Sequence, residues 1–248
     1  RHTALLACKS FDEVVRTMQE AKRHLGETLA ALEWMDSTTM RLVGTTHQLD
    51  VPLFENNGAC YPHYLLLETH GSNAEHDQSK MEGLLEHVVA DGGPVCDGVL
   101  AQDLQQSLHF WRLRESANPA VASCGYTYKY DISLPDFSGF IATMQERLAG
   151  FDVVNANWGH VLDGNLHFNV TREGAFEKDD QIVRQMEPFL FDEVLRRGGS
   201  ISAEHGLGQS KNKYMTKVHS EGTIALMRSL KELLDPRGIL NPGKVLPS

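Results

Sequence analysis

Two histidines, His160 and His167, lie seven positions apart in the segment GHVLDGNLHFNV and flank an Asp-Gly pair. An Asp-Gly dipeptide between strand-like residues favours a β-hairpin with a two-residue turn. That turn would place His160 directly opposite His167, and opposed residues share one face of a sheet with Cβ atoms about 4.5–5.5 Å apart. Two imidazoles at this distance can hold one metal ion. The alternative interpretation of the histidine pair is a solvated strand face that binds nothing.

The second strand of this hairpin has a polar face and an apolar face, because side chains alternate along a strand. The apolar face, which we expect to pack on the core, consists of Leu166, Phe168 and Val170. The polar face carries His167 together with Asn165 and Asn169 and would form the floor of a site. The predicted register also places Leu162 on this polar face, beside the metal.

A third metal ligand is available in the segment SAEHGLG, where Glu204 and His205 are adjacent and glycines follow. Glycine lets the backbone approach a ligand closely, and adjacent side chains in an extended segment diverge. One of the two could therefore meet a metal while the other addresses a substrate. Two histidines and one glutamate form a known catalytic zinc set with an open position. The alternative for this segment is a surface turn.

Two cationic residues could bind an acid. Arg114 lies in a predicted helix, with Asn118 on the same face four positions later. Lys129 alternates with tyrosines in the predicted strand YTYKYD, so it faces away from them. Arginine offers a carboxylate a two-pronged hydrogen-bonding fork, and lysine offers a point charge. The alternative for Lys129 is a solvated side chain on the outer face of the strand.

The elements that would hold these residues recur as two strand–helix–strand units. Ser10 and Glu13 predict a capping box at the start of a helix over 10–26. The predicted strands alternate polar and apolar residues, which is untypical of a doubly wound parallel sheet. We therefore predict an α+β fold with one antiparallel sheet, helices packed on one face, two ferredoxin-like βαβ halves and a C-terminal helical segment.

Further strands and helices are predicted around the candidate residues. The pattern predicts a strand over 126–135, one helix over 180–199 and another over 223–235. A helix over 104–121 should bend or end at Pro119, because proline disrupts a helix interior.

Composition and charge narrow the possible functions. The 248 residues, 41% of them hydrophobic, suffice for the core of one large domain. The net charge of −10 argues against a nucleic-acid partner, because phosphate binding needs clustered Lys and Arg. No apolar run is long enough for a transmembrane segment. Neither GxGxxG nor a P-loop motif occurs, so we expect no dinucleotide or phosphate cradle in this chain. Four widely spaced cysteines indicate reduced thiols in an intracellular compartment.

Several stretches together resemble the C-terminal domain of the FAD-linked oxidases. These stretches are GHVLDGNLHFNV, SAEHGLG, YKYDISLP and LLDPRGILNPGKVLP, and the resemblance extends to EWMD at 33–36 and ETHGSNAEHD at 68–77. It covers essentially the whole chain, 1–248, and the order of the four motifs is far more specific than any one of them. Within the family, the chain resembles the D-2-hydroxyglutarate and D-lactate dehydrogenases.

The resemblance implies a flavoenzyme that oxidises a D-2-hydroxy acid, either 2-hydroxyglutarate or lactate, to the 2-oxo acid. It implies that this domain binds the substrate and caps a separate N-terminal FAD-binding domain, which the chain lacks. The resemblance also implies a mitochondrial location, with an electron acceptor that it does not identify. We expect the chain alone to fold, yet neither to bind FAD tightly nor to turn over.

The resemblance also assigns roles to individual residues. It implies that His160, His167 and Glu204 bind Zn²⁺ and that His205 takes the proton of the substrate hydroxyl. The substrate-carboxylate binders would be Arg114 and Lys129, and Asn169 would make a further polar contact with the substrate.

Two positions depart from the family pattern. Leu162 stands where the family commonly has glycine, so we expect it to narrow the site or distort the turn. Asn118 stands where the 2-hydroxyglutarate enzymes tend to have threonine, at a substrate-facing position, and this leaves the identity of the acid open. Two other functions remain as alternatives: a metal-dependent hydrolase that uses the same three ligands to activate water, and a non-catalytic interaction module.

Overall fold

The computed structural model describes residues 1–55, 57–133, 135–174 and 177–246. Residue 134, inside the predicted strand 126–135, lies outside the described residues. In the described part of the chain, seven strands form one antiparallel sheet in the order β4-β1-β3-β2-β6-β7-β5. The strands are β1 (His2–Cys8), β2 (Leu29–Asp36), β3 (His63–Thr69), β4 (Asp97–Leu100), β5 (Tyr128–Ser133), β6 (Val154–His160) and β7 (Asn165–Thr171).

The helices alternate with these strands along the chain. They are α1 (Phe11–Leu25), α2 (Ser37–His47), α3 (Ala74–Val89), α4 (Leu104–Glu115), α5 (Ala117–Ala122), α6 (Phe137–Leu148), α7 (Asp180–Met186), α8 (Phe189–Arg196), α9 (Met215–Val218) and α10 (Glu221–Leu234). The last of these confirms the predicted C-terminal helical segment. In the described residues, no helix combines the length and the apolar content that crossing a bilayer requires.

The sheet consists of two ferredoxin-like halves, which confirms the predicted fold class. The first half contains β1, β2, β3 and β4 in the order 4-1-3-2, and the second half repeats the order with β5, β6 and β7. In the second half a single bridge between Ser133 and Ser200 takes the place of a fourth strand. The halves join through β2 and β6, the second strand of each, where Trp34 pairs with Gly159.

One face of the sheet, which we call the first face, carries the larger core. It is covered by α1, α3, α6, α7 and α8 and includes Leu6, Trp34, Leu65 and Phe168 among its fully buried strand residues. Helix α1 begins as predicted, because Ser10 and Glu13 form both hydrogen bonds of a capping box. It presents Val14, Thr17, Ala21 and Leu25 to this core at helical spacing.

The second face is covered by α2, α4 and α5 over the first half and over β6, so the prediction of helices on one face is corrected. The physical reason lies in β1 and β3. Their segments HTALLAC and HYLLLET bury every residue after the first, and both faces therefore need an apolar cover. Strand β5 keeps the alternating pattern, and its polar residues remain partly or fully exposed on the second face.

Two predicted helices are interrupted. The helix over 104–121 is divided between α4 and α5, three residues before Pro119, as the predicted bend implied. The prediction of one uninterrupted helix over 180–199 is wrong, because α7 ends at Met186 and α8 begins after Pro188. A proline ring clashes with the carbonyl four residues earlier and lacks an N–H donor, so the helix before it ends.

The prediction of a two-residue hairpin turn is also wrong. His160 pairs with Asn165, and His167 pairs with Trp158, so the turn contains four residues, 161–164. The shift in register is even, and both histidines therefore stay on one face. Gly159 is required in this hairpin, because a Cβ there would lie 2.2 Å from the carbonyl oxygen of Asn165.

Leu162 does not lie on the histidine face, contrary to the predicted register. Together with Val161 it packs against the core of the first face. Burying these two apolar side chains there removes them from the strand and lengthens the turn. The carbonyl of Leu162 accepts a hydrogen bond from Lys22 Nζ at 3.4 Å. The expected narrowing of the site by Leu162 is therefore wrong.

Candidate active site

His160 at the end of β6 and His167 in β7 are diagonal neighbours on the second face. Their ring centroids lie 5.4 Å apart, with an angle of 76° between the ring planes. Diagonal pairs of residues across two strands are within reach of long or aromatic side chains. The structure thus brings the two histidines together, although by a different register from the one predicted.

Each histidine is held by a carboxylate through its Nδ1 atom. His160 Nδ1 lies 2.7 Å from Glu33 Oε1, and His167 Nδ1 lies 2.5 Å from Asp131 Oδ1. These contacts fix the orientation of each ring and leave the Nε2 atom as the available ligand. A carboxylate on the second nitrogen is the usual support of a metal-binding histidine, and it also makes the imidazole a stronger ligand.

Contacts with neighbouring residues lower the pKa of both supporting carboxyl groups, although burial opposes this. Burial on its own would raise the pKa of Glu33, but the hydrogen bond to His160 and the charge of Arg114 outweigh it and lower the pKa. Burial also opposes ionisation of Asp131, but the hydrogen bond to His167, together with the charges of His167, His205 and Lys211, lowers its pKa. In return, the hydrogen bond to Glu33 raises the pKa of His160.

Glu204 and His205 approach the two histidines from the turn that follows Ile201. Glu204 Oε1 lies 3.9 Å from His160 Nε2 and 3.5 Å from His205 Nε2. One ligand atom each from His160, His167 and Glu204 lies within 4.8 Å of the others, which is a fitting arrangement for a metal ion. The chemistry of this donor set, two nitrogens and one carboxylate oxygen, suits zinc.

A second grouping at the same place contains Asp131, His167 and His205. Asp131 is already hydrogen-bonded to His167, and its other oxygen, Oδ2, lies 3.6 Å from His205 Nε2. Asp131 is therefore better described as a carboxylate that orients two imidazoles than as a metal ligand. His205 is half exposed and lies at the open side of the cluster.

Lys211 ties the turn that carries Glu204 and His205 to the sheet. Its Nζ atom donates to the carbonyl of Asp131 at 3.2 Å and to the carbonyl of Ile201 at 2.7 Å. Burial lowers the pKa of this ammonium group. Ala203 within the turn has a φ of 39°, a left-handed conformation that a residue with a Cβ rarely adopts. Such a turn keeps its shape only when its surroundings hold it.

The predicted cationic residues lie on the same side of the sheet. Arg114, mostly buried at the end of α4, donates from Nε to Glu33 Oε2 at 2.9 Å. Lys129 is exposed on β5, and its Nζ donates to Asn118 Oδ1 at 2.5 Å. Arg114 is thus partly balanced by a carboxylate, whereas Lys129 contacts a neutral amide.

Two asparagines of β7 complete the floor of the cluster. Asn169 is buried opposite Lys129, and its Nδ2 donates to the carbonyl of His167 at 3.1 Å. Asn165 is buried opposite His160. Neither Nδ2 nor Oδ1 of its side chain has a hydrogen-bond partner among the described residues. A buried amide of this kind calls for an explanation such as an ordered water or a ligand.

Three functional neighbours were not predicted: Glu33, Asp131 and Lys211. A signal existed for Asp131, because it alternates with Lys129 in YTYKYD and must share its face. Glu33 lies within EWMD, but its contact with His160 joins strands 127 positions apart, which no local pattern reveals. Lys211 showed no signal, since its partners are backbone carbonyls.

Comparisons with known proteins show which family the chain matches. The family described as FAD linked oxidases, C-terminal domain, matches residues 1–245. A mitochondrial D-2-hydroxyglutarate dehydrogenase of Danio rerio is 40% identical over 99% of this chain and 45% of its own length. A putative mitochondrial D-lactate dehydrogenase of Schizosaccharomyces pombe is 35% identical over 98% of this chain and 47% of its own length.

A solved structure of p-cresol methylhydroxylase with substrate bound shares the fold. Its TM-score is 0.68 at 11% identity, over 99% of this chain and 53% of that one. The chain spans less than half the length of each of these two curated relatives. It belongs to the family of FAD-linked oxidase C-terminal domains.

Proposed function

We propose that this chain is the substrate-binding and metal-binding domain of a flavin-dependent dehydrogenase that oxidises a D-2-hydroxy acid to the 2-oxo acid. The observation that supports it most is the convergence of His160, His167 and Glu204 beside His205, with both histidine Nδ1 atoms already held by carboxylates. The relatives named D-2-hydroxyglutarate dehydrogenase and D-lactate dehydrogenase supply the reaction class.

The proposed metal ligands are His160 Nε2, His167 Nε2 and a Glu204 carboxylate oxygen. A divalent cation at this place would supply positive charge that lowers the pKa of the substrate hydroxyl. Glu33 and Asp131 keep the two rings oriented, because each carboxylate accepts a hydrogen bond from an Nδ1–H group. Three protein ligands would leave room at the cation for the hydroxyl and carboxylate oxygens of the substrate.

His205 is the proposed general base. Histidine is the side chain that most often acts as a general base near neutral pH. Its Nε2 lies 3.6 Å from Asp131 Oδ2, so the carboxylate would stabilise the imidazolium that forms. His205 would take the hydroxyl proton, and a bound flavin would supply the redox chemistry as the acceptor of the hydride from C2.

We propose a dicarboxylate, D-2-hydroxyglutarate, as the substrate. Two cationic side chains, Arg114 and Lys129, lie on the substrate side at separate positions. Arg114 lies beside Glu33 and His160, next to the proposed metal, whereas Lys129 lies on β5 and contacts Asn118 of α5. A second carboxylate would meet the ammonium group of Lys129, which a monocarboxylate such as lactate cannot do. Asn169 would add a polar contact from the floor of the site.

The FAD-binding part is proposed to lie in the section of the protein that this chain does not contain, in line with the share of its relatives that it covers. An apolar stripe on α10 supports a contact between this helix and the FAD-binding part. It consists of Leu226, Leu230, Leu233 and Leu234, which are exposed by 62%, 50%, 75% and 77%. Apolar patches of this kind mark protein contacts. The names of the relatives support a mitochondrial location.

The experiment is anaerobic flavin reduction in the full-length protein. Addition of D-2-hydroxyglutarate should bleach the visible absorbance of the flavin, D-lactate should do so more weakly, and the L-enantiomers should leave it unchanged. A His205→Asn variant should bind the acid but reduce the flavin at least about 100-fold more slowly, the lower end of what a general base contributes. Stoichiometric zinc without flavin reduction by any hydroxy acid would overturn the proposal and favour a hydrolase.

A further inference from the structure

A second cluster of metal-ligating side chains lies between α1 and α3. These helices pack on the first face, whereas the candidate active site lies on the second face, on the opposite side of the sheet. The cluster contains Glu20 and His24 from α1 and His87 from the last turn of α3. None of the three is used by the reaction proposed above.

The geometry of the cluster is that of a three-ligand site. Glu20 Oε2 lies 3.1 Å from His87 Nε2 and 3.5 Å from His24 Nε2, and all three ligand atoms lie within 4.8 Å of one another. The rings of His24 and His87 stack with their centroids 5.0 Å apart and 28° between their planes. Both Nε2 atoms thus face the same carboxylate.

Both helices are anchored in the core right beside each of these side chains. Each ligand has a fully buried neighbour in sequence, since Ala21, Leu25 and Val88 belong to the core of the first face. Glu20 and His24 are one helical turn apart, which places them on one face of α1. Little ordering of the backbone is therefore needed for an ion to bind, and preorganisation of this kind favours affinity.

We propose that Glu20, His24 and His87 form a second metal site, which takes a first-row transition-metal ion such as Zn²⁺ and links α1 to α3. Two imidazole nitrogens select zinc, copper or nickel over magnesium and calcium, which prefer oxygen ligands. The remaining coordination positions are open to water.

Arg23 competes with the ion for the same ligand atoms. Its Nη2 atom contacts the Glu20 carboxylate and lies 3.4 Å from His87 Nε2. The Arg23 side chain is 64% exposed, so it can move into solvent when a cation replaces it. Removing this guanidinium should therefore strengthen metal binding, whereas removing a ligand should weaken it.

The test measures metal binding and not activity, so it is independent of the proposed reaction. The full-length protein is freed of metal with a chelator, and Zn²⁺ is titrated in competition with a chromophoric chelator. His24→Ala and His87→Ala should each lose one equivalent of zinc relative to the parent protein, or should hold that equivalent at least about tenfold more weakly. His76→Ala, which removes another exposed histidine of α3 outside the cluster, is the matched control and should change nothing.

Arg23→Gln should increase the affinity for the same equivalent of zinc several-fold. Such a gain distinguishes a metal site from misfolding, which can only weaken binding. A variant lacking the other candidate ligands, His160→Ala with His167→Ala, should retain this equivalent. Zinc binding that is unaffected by His87→Ala, or confined to the equivalent that His160 and His167 hold, would overturn the second site.

Discussion

Asp131 and His167 face each other directly across β5 and β7, and the Nδ1 atom of His167 lies 2.5 Å from Oδ1 of Asp131. The same carboxyl group reaches towards His205 with its second oxygen, at 3.6 Å from Nε2. One side chain thus orients a proposed metal ligand and the proposed base together. Such sharing couples the position of the metal to that of the proton acceptor.

The first prediction concerns this carboxylate. Asp131→Ala should lower zinc affinity at the active site about 10–100-fold, because the supporting group of a ligating histidine tunes its orientation and basicity. The measurement is a zinc competition titration of the full-length protein. Asp152→Ala, at a carboxylate that is almost fully exposed, is the control and should leave the affinity unchanged. Equal affinities in both variants would contradict the orienting role of Asp131.

The second prediction concerns the turn that carries Glu204 and His205. Lys211→Met should free this turn, since it removes hydrogen bonds to the carbonyls of Asp131 and Ile201. Hydrogen bonds from a charged group contribute about 1.5–3 kcal/mol each. We expect faster proteolysis within residues 202–208 and a lower kcat/KM, with the unfolding of the sheet core little changed. Lys213→Met is the control, because that lysine is largely exposed and pairs with Glu187. Unchanged proteolysis in Lys211→Met would show that the turn is held by other contacts.

The third prediction concerns Leu162. In the structure this side chain packs on the first-face core, away from the histidines. Leu162→Gly, which restores the residue common in the family, should therefore destabilise the fold by about 1–2 kcal/mol, as expected for losing a partly buried leucine. Zinc affinity and KM should stay the same. Denaturant unfolding and steady-state kinetics measure the two effects. A Leu162→Gly protein with a changed KM would restore the view that Leu162 shapes the site.

Sequence patterns predicted those features that depend on local periodicity. The capping box at Ser10 and Glu13, the polar face shared by His167 and Asn169, and the repeated strand–helix–strand units follow from spacing alone. The hairpin turn was mispredicted because Asp163-Gly164 indicates a turn locally, while burial of Val161 and Leu162 lengthens it. The even register shift kept the histidine face correct.

Long-range contacts were not predictable in this way. The bond from Glu33 to His160 depends on β2 pairing with β6, which joins the two halves. No periodicity within either half indicates which of its edges meets the other. The helices on the second face were missed for a different reason. The apolar runs in β1 and β3 indicate burial on both faces, whereas the predicted alternation of polar and apolar residues holds for β5.

The fourth prediction concerns stability at low pH. Hydrogen bonds from Arg196 and Arg197 lower the pKa of Glu193 to about 2. Because this pKa is lower in the folded than in the unfolded state, the stabilisation is present above the usual value of 4.5 and is lost as pH falls towards about 2. Glu193→Gln should therefore reduce the free energy of unfolding by about 1–3 kcal/mol at pH 7.

The difference between Glu193→Gln and the parent protein should shrink steadily below pH 4.5, since the carboxylate then takes up a proton in the unfolded parent chain while it stays ionised in the folded one down to about pH 2. Urea titrations of both proteins between pH 7 and pH 2.5 provide the measurement. Arg197 also contacts the Asp136 carboxylate and the carbonyl of Gly139, so the pair links α8 to α6. A difference that does not depend on pH would show that Glu193 acts through packing alone.

The last prediction separates the two cationic residues by their partners. Lys129 donates to the neutral amide of Asn118, whereas Arg114 donates to the carboxylate of Glu33, which also holds His160. Lys129→Gln should therefore weaken only the recognition of a second carboxylate. We expect kcat/KM for D-2-hydroxyglutarate to fall roughly 10–150-fold, which corresponds to a loss of about 1.5–3 kcal/mol of transition-state binding. The value for D-lactate should change little.

Arg114→Gln should instead lower kcat/KM for both acids, because it leaves Glu33 without its guanidinium partner and disturbs the ring of His160. Removing one partner of a buried ion pair costs about 3–5 kcal/mol, so this variant should also be less stable. Lys178→Gln, at an exposed lysine paired with Asp180, is the control for surface charge. Steady-state kinetics with both acids in the three variants decide the matter. If Lys129→Gln lowers kcat/KM equally for D-2-hydroxyglutarate and D-lactate, the lysine binds the carboxylate next to C2, and the dicarboxylate assignment fails.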